Sequence, residues 1–310
     1  MAIAGMEKGA SAELVIMQDA VKVYGRRKVL HDISLKVWKG ECIALVGKNG
    51  SGKSTLLRML AGLTRPTSGT RWVSGGRLVT GYVPERFPPL TFTPWEFLLS
   101  SAEVRGMEKA SAENELRGFL SKLGMESFAH VRMSQFSKGM LQKINLIQAM
   151  MGGPDLLLLD EPLSGLDIKA QENLLSILVG LKRGGTAIVM SVHEPTLIEQ
   201  IADRVLLMKN GQIIEETLEK HLVTGTTTQI VLRGLDSSAV KRISEHPGMV
   251  DLAIRSDRCE LVVRSEAVDL LIRQILDSGG SIVSVIPTMG MNIPLGEWLQ
   301  PAASEKGDQV

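Results

Sequence analysis

Residues 47–55 of this 310-residue chain read Gly47-Lys48-Asn49-Gly50-Ser51-Gly52-Lys53-Ser54-Thr55. It matches the pattern G-x-x-x-x-G-K-[ST], in which glycines let the backbone wrap closely around phosphates. An apolar strand, Cys42–Val46, precedes it and an apolar helical segment, Leu56–Leu60, follows it. Exposed amides and a helix N-terminus attract anions, Lys53 can reach terminal phosphates, and the Ser54 hydroxyl can hold Mg²⁺. All nine residues are therefore candidate nucleotide ligands.

A second apolar strand ends in two adjacent carboxylates. Leu156–Leu159 leads into Asp160 and Glu161, and Pro162 cannot continue a strand ladder because it lacks an N–H. Ligands of parallel sheets bind beyond the carboxyl ends of the strands, which places Asp160 to support Mg²⁺ and Glu161 to polarise an attacking water. Taken alone, such a strand end is about as often merely solvated, but the presence of Lys53 favours the metal and base roles.

Short apolar strands alternate with helical segments from about residue 14 to 218, which predicts an α/β fold with a parallel sheet covered by helices. From about 94 to 151 helical spacing replaces the strands and predicts a helical subdomain. The stretch 204–214 predicts a β-hairpin around the turn dipeptide Asn210-Gly211. We expect this first domain to span 14–222, after an N-terminal tail of residues 1–13.

The sequence pattern changes after a threonine-rich linker at 224–228. The order strand, helix, strand, strand, helix, strand then predicts a small ferredoxin-like α+β domain over 223–299. The polar residues 300–310 show no apolar period, so we expect a flexible tail there.

Composition excludes several classes of protein. Because 35 Lys and Arg face 34 Asp and Glu, a dominant nucleic-acid-binding surface is not expected. Cys42 and Cys259 fit neither a metal-ligand spacing nor a disulfide framework, and we expect buried thiols in a reducing compartment. The amino terminus lacks the layout of a secretory signal, and no stretch approaches the roughly 18 apolar residues of a membrane-spanning helix.

Further elements occur in a specific order around these two motifs. Phe136-Ser137-Lys138-Gly139-Met140 lies upstream of Asp160, Ser164-Gly165-Leu166-Asp167 lies downstream, and His193 follows the next strand. With the loop at 47–55, this order resembles the nucleotide-binding subunit of ABC transporters over about residues 14 to 218. The resemblance implies the ABC-type ATPase branch of the P-loop NTPase fold.

The resemblance also implies residue roles, each beside a structural alternative. Tyr24 matches the aromatic residue that stacks on adenine, although a lone tyrosine in a strand is more often a packing residue. Ser137 and Gly139 match a signature motif that faces the γ-phosphate held by another copy, while Ser137 could simply cap a helix. His193 matches a switch histidine that contacts the γ-phosphate, although a histidine at a strand end is more often structural. Asp167 matches a residue that links the two active sites, although it could simply cap the helix that follows it.

This chain departs from the family pattern at several positions. In the signature, usually L-S-G-G-Q, Phe136, Lys138 and Met140 differ from the consensus. Glu85 stands where many members carry a glutamine that senses Mg²⁺, which leaves the metal role open and the water-positioning role in doubt. Glu85, the variant signature and the small C-terminal domain are similar to the bacitracin-resistance type of drug and antibiotic export ATPases.

The resemblance implies that the chain binds ATP and Mg²⁺, hydrolyses ATP with Lys53, Glu161 and His193, and closes head to tail on a second copy of itself. It further implies an integral membrane permease as partner, no nucleic acid, and a place on the cytoplasmic face of the cell membrane. The direction is expected to be export of a drug, antibiotic or related compound. Two alternatives remain: a non-transport ABC ATPase of translation or DNA maintenance, and an ATPase regulated by a sensing C-terminal domain.

Overall fold

The computed structural model describes residues 12–192, 194–218, 227–244, 246–254 and 258–288. They fall into two compact units that divide after Thr217. Unit 1 holds the phosphate loop, and unit 2 is the smaller one.

The main sheet of unit 1 has six strands in the order β5-β6-β7-β3-β8-β9. The strands are β3 (Cys42–Val46), β5 (Thr80–Val83), β6 (Leu156–Asp160), β7 (Ala187–Ser191), β8 (Arg204–Lys209) and β9 (Gln212–Leu218). The first five in that order pair in parallel, and every residue of β3, β6 and β7 is buried, as expected of strands covered on both faces. β9 returns beside β8 through Asn210 and Gly211, whose φ angles of 48° and 79° suit the predicted two-residue turn.

Unit 1 also contains a second sheet that the sequence analysis did not predict. β1 (Glu13–Tyr24), β2 (Arg27–Trp38) and β4 (Ser68–Val73) form a three-stranded antiparallel sheet in the order β2-β1-β4. The predicted alternation of strands and helices in a parallel sheet was therefore wrong for this region. The apolar–polar alternation is broken by register shifts, with Asp19 and Asp32 at positive φ, so the period-2 pattern is hard to see. The inner side chains of this sheet, such as Leu30 and Leu35, join the core formed by β3.

Helices occupy the predicted positions. α1 (Lys53–Leu60) follows the phosphate loop, and α2 (Pro94–Val104), α3 (Lys109–Lys122) and α4 (Lys138–Met150) fill the stretch predicted to be helical. α5 (Ile168–Arg183) and α6 (Pro195–Ile201) connect the later strands of the main sheet. Among the helices of the described ranges, none combines the length and hydropathy needed to cross a membrane.

Unit 2 has the element order predicted for it. It runs through β10 (Thr227–Arg233), α7 (Ser237–Ser244), β11 (Met249–Ile254), β12 (Cys259–Arg264), α8 (Val268–Asp277) and β13 (Ser281–Thr288). The four strands form an antiparallel sheet in the order β11-β12-β10-β13, with a core that includes Ile230, Val263 and Leu271. Cys42 is buried as expected, but Cys259 is only half-buried because it lies at the end of β12, at the margin of this core. The expected tail 300–310 lies outside the described residues.

Candidate active site

The phosphate loop connects β3 to α1, and two of its glycines have no room for a side chain. A Cβ on Gly47 would lie 2.3 Å from the Met208 carbonyl oxygen. Gly52, with φ of 107°, is the N-cap of α1, and a Cβ there would lie 2.8 Å from Leu30 Cδ2. The Met208 backbone therefore requires glycine at 47, and the left-handed φ of Gly52 favours glycine there.

Lys53 lies inside this loop rather than in solvent. The residue is 6% exposed, and its Nζ donates hydrogen bonds to the carbonyl oxygens of Gly47 at 2.5 Å and of Lys48 at 3.4 Å. Burial lowers the pKa of Lys53, and the negative charges of Glu161, Asp160 and Glu85 oppose that shift. The three carboxylates, which were predicted from two separate stretches of sequence, thus act on one ammonium group.

Asp160 has a partner that the sequence analysis missed. The carboxylate is 3% exposed, and Ser191 Oγ donates a hydrogen bond of 2.6 Å to its Oδ1. Ser191 lies directly opposite Asp160 in the parallel pairing of β6 and β7. The only available signal was a hydroxyl at the end of an apolar strand, Ala187–Ser191. Ser191 fixes the orientation of the buried carboxylate.

Glu161 has an unusual backbone conformation. Its φ angle is 50°, in the left-handed region that non-glycine residues rarely adopt. The Glu161 N–H donates to Ser191 Oγ at 3.0 Å and to the Ser191 carbonyl oxygen at 3.2 Å. Ser191 therefore holds both carboxylate-bearing residues at the end of β6.

The site fits Mg²⁺ taken up together with phosphate. The negative charges of Glu161, Asp160 and Glu85 all act on Lys53, so phosphates would add negative charge to an already acidic site unless a divalent cation joined them. Within the described part of the chain, no cluster of three or more His, Cys, Asp or Glu could hold a metal by itself. Ser51 Oγ is buried and has no hydrogen-bond partner among the described atoms, as expected of a loop built for an anion.

A cavity of about 450 Å³ adjoins the loop. Its lining consists of Lys48, Asn49, Gly50 and Ser51 of the loop with Arg27, Met208, Lys209 and Asn210. Tyr24, the predicted adenine contact, ends β1 just before Arg27, is 47% exposed, and has Lys22 Nζ at 5.0 Å from its ring centroid. Arg27 and the hairpin residues were not predicted as part of the site, and the three cations of the lining suit a phosphate-bearing ligand.

The signature motif forms the start of α4. Ser137 is its N-cap and accepts a 3.3 Å hydrogen bond from the Met140 N–H, so the predicted structural alternative is realised. A Cβ on Gly139 would lie 2.2 Å from the Gly165 carbonyl oxygen, and Lys138 Nζ donates to Ser164 Oγ at 2.8 Å. The signature is thereby packed against the loop that follows Glu161.

The remaining predicted residues lie on loops. Asp167 caps α5 through a 2.9 Å bond from the Ala170 N–H, and that bond, with the nearby Lys143, lowers the pKa of Asp167. Glu85 follows β5 and is half-exposed, with Arg86 Nε at 3.9 Å from its Oε1. His193 lies outside the described residues.

The chain is similar to known ATP-binding proteins of ABC transporters. A family model described as ABC transporter matches residues 30–164. An uncharacterized ABC transporter ATP-binding protein of Bacillus subtilis, YxlF, is 36% identical over 208 residues, which cover 64% of this chain and 69% of the relative. The glutamine transport ATP-binding protein GlnQ of Escherichia coli is 31% identical, with 70% and 96% covered. The macrolide export ATP-binding/permease protein MacB of Bartonella henselae is 32% identical, with 65% and 33% covered.

Solved structures show the same fold. One described as the ATP-binding subunit of an ABC transporter has a TM-score of 0.62 and 31% identity, and covers 66% of this chain and 90% of its own. A dimeric ATP-binding cassette solved with ADP and phosphate has a TM-score of 0.61 at 22% identity, and covers 66% and 99%. The second likeness concerns the fold alone.

Proposed function

Because the chain belongs to the ATP-binding proteins of ABC transporters and is an ATPase of that family, we propose that it binds Mg-ATP at the loop 47–55 and powers transport by a separate membrane permease. One observation carries the site assignment. Lys53 is buried inside the phosphate loop, and Glu161, Asp160 and Glu85 all act on its ammonium group. Phosphoryl transfer depends mostly on positioning and charge neutralisation, which this arrangement provides.

Each part of the nucleotide has a proposed partner. The loop amides and Lys53 hold the phosphates, since Lys53 Nζ can exchange its carbonyl acceptors for phosphate oxygens. The exposed ring of Tyr24 stacks on the adenine. Ser54 and Asp160, with Glu85, hold Mg²⁺, which neutralises phosphate charge when it is bound. Ser191 supports this role because its hydrogen bond keeps Asp160 oriented.

Glu161 is proposed as the general base. It takes a proton from the attacking water, and such help contributes on the order of 10²–10⁴-fold to a rate. The two hydrogen bonds from its N–H to Ser191 fix the backbone from which the carboxylate projects. His193 is proposed to contact the γ-phosphate, as its place after β7 suggests.

The complete site is proposed to form between two copies of the chain. Ser137 and Gly139 of one copy would close over the γ-phosphate bound by the other, with Asp167 linking the two sites. Two observations support this: Ser137 begins a helix, whose N-terminus suits an anion, and a structural neighbour with the same fold is a dimer with ADP and phosphate bound.

We place the protein on the cytoplasmic face of the membrane through its permease, and we propose export as the direction. The relatives include both a glutamine transport protein and a macrolide export protein. The export proposal therefore rests on Glu85 and on the α+β unit, as in the bacitracin-resistance type. Co-purification with the permease encoded beside it tests the coupling, and recovery with ribosomes or DNA alone would contradict it.

The variant Glu161→Gln tests the catalytic proposal. It should bind Mg-ATP and accumulate as a dimer, because binding and closure do not need the base, while ATP turnover falls on the order of 10²-fold or more. Turnover is measured by phosphate release and assembly by light scattering. Glu103→Gln, on the exposed side of α2, is the matched control. An unchanged turnover rate would remove Glu161 from the role.

A further inference from the structure

Helix α4 carries two buried amides on its inner face. Gln142 and Asn145 are 4% and 1% exposed, and their spacing of three places them on the same side of the helix. All the other buried side chains of this helix are apolar. Burial of an amide is unfavourable unless it forms hydrogen bonds, so the partners of these two side chains are informative.

Both amides donate to proline carbonyls beside proposed site residues. Gln142 Nε2 donates to the Pro162 oxygen at 3.2 Å, and Asn145 Nδ2 donates to the Pro84 oxygen at 3.3 Å. Pro162 directly follows Glu161, and Pro84 directly precedes Glu85. Both prolines lie just beyond the ends of β6 and β5, which are neighbouring strands of the main sheet.

The helix from which these amides project is held firmly against the sheet. A Cβ on Gly81 of β5 would lie 2.1 Å from the Ala149 carbonyl oxygen of α4, so the two backbones are in direct contact. The helix cannot slide along β5 without losing this fit. The two amide donors therefore lie at fixed positions relative to the strand ends.

We propose that Gln142 and Asn145 are positioning residues: Gln142 holds Glu161 and Asn145 holds Glu85, each through the carbonyl of the adjacent proline. Glu161 is thus held from two sides, by Ser191 at its N–H and by Gln142 one residue later. Asn145 holds the residue before Glu85, at the end of the neighbouring strand β5. This inference rests on the proposed function, because it assigns Glu161 to the base and Glu85 to Mg²⁺.

Near-isosteric apolar variants separate the two roles. Gln142→Met should lower kcat about 10-fold with unchanged ATP affinity, because small misplacements of a catalytic group have effects of this order. Asn145→Leu should instead raise the Mg²⁺ concentration for half-maximal activity about 10-fold, because Glu85 is displaced. Asn173→Leu is the control: Asn173 also donates to a backbone carbonyl, that of Lys122, but in an exposed position away from the site.

A double variant distinguishes positioning from a general loss of structure. If Gln142 acts through Glu161, Gln142→Met should cost nothing further in the Glu161→Gln background. Equal losses of kcat in Gln142→Met and Asn145→Leu with no change in Mg²⁺ dependence, or a multiplicative loss in the double variant, would overturn the proposal. If Asn145→Leu does not give folded protein, Asn145→Ser, whose hydroxyl is too short to reach Pro84, takes its place in the same assay.

Different results would contradict the base role of Glu161 and the positioning roles of Gln142 and Asn145. Full turnover in Glu161→Gln would overturn the base assignment and the role of Gln142 with it. Loss of turnover in Glu161→Gln, combined with wild-type kinetics in Gln142→Met and Asn145→Leu, would overturn only the positioning roles.

Discussion

Gly139→Ala is a severe test of the packing at the start of α4. A Cβ at this position would lie 2.2 Å from the Gly165 carbonyl oxygen, which is 0.8 Å inside the 3.0 Å that real Cβ contacts respect. The obstacle is backbone, so neither partner can relieve the contact by changing a rotamer. Either the first turn of α4 or the loop that leads to Asp167 must move.

The change in the free energy of unfolding for Gly139→Ala follows from two opposed effects. Alanine favours a helix over glycine by up to about 1 kcal/mol. Forcing a methyl group into a filled space costs about 1–3 kcal/mol, and more when backbone must shift. Because the obstacle is backbone, we take the upper cost of about 3 kcal/mol less the gain of about 1 kcal/mol, and expect Gly139→Ala to lower the free energy of unfolding by about 2 kcal/mol. Because the signature moves relative to Ser164, kcat should also fall about 10-fold or more.

Two glycines of other helices provide matched controls. Gly118 in α3 and Gly180 in α5 have nothing within 4 Å of an added Cβ. Alanine at either should raise the free energy of unfolding by about 0.5–1 kcal/mol and leave kcat unchanged. The measurements are urea denaturation and steady-state phosphate release. If Gly139→Ala were as stable and active as the controls, the close approach of Gly139 and Gly165 would be refuted.

Three further predictions concern single groups. Lys53→Ala should lose most of its affinity for Mg-ATP in equilibrium binding with a fluorescent nucleotide, and normal binding would contradict the assignment of the phosphate loop. The lowered pKa of Asp167, caused first by the Ala170 N–H and then by Lys143, means that this carboxylate stabilises the fold above its ordinary pKa and loses that effect as the pH falls through the lower folded value. Asp167→Asn should therefore make the unfolding free energy fall less steeply as the pH drops below about 4 in acid-titration unfolding experiments. Burial raises the pKa of the Cys42 thiol, so a thiol reagent at neutral pH should label half-buried Cys259 first and Cys42 only in denaturant; equal native labelling would contradict the buried position.

The parallel sheet could be predicted because each of its central strands is recognisable from a short, contiguous stretch of sequence. Each of its strands β3, β6 and β7 is a short apolar run, and two of them end in chemically distinctive residues, at Gly47 and Asp160. The antiparallel sheet could not be predicted in the same way. β1 pairs with both β2 and β4, and the positive φ angles at Asp19 and Asp32 accompany register shifts that break the period-2 pattern.

The candidate site also combines residues that local motifs predict with residues that only the tertiary fold brings together. Lys53, Asp160 and Glu161 belong to contiguous motifs, so their residue types and order already indicate phosphate chemistry. Ser191 and Gln142 act on the site from other elements, through contacts 31 and 20 residues apart in the chain. Such contacts depend on how the helices and strands pack in the folded protein, and no local pattern in a single sequence predicts them.

Folding stability and ATP turnover make opposite demands on residue 161, because its backbone is left-handed and its carboxylate is the proposed base. The conformation costs a non-glycine residue on the order of 1–2 kcal/mol, and a glycine there would be free of that cost. Ser191 compensates with two acceptors for a single N–H. A screen that selects only for heat resistance would therefore be expected to replace the carboxylate at this position, so thermostability alone is an unsafe guide for engineering this protein.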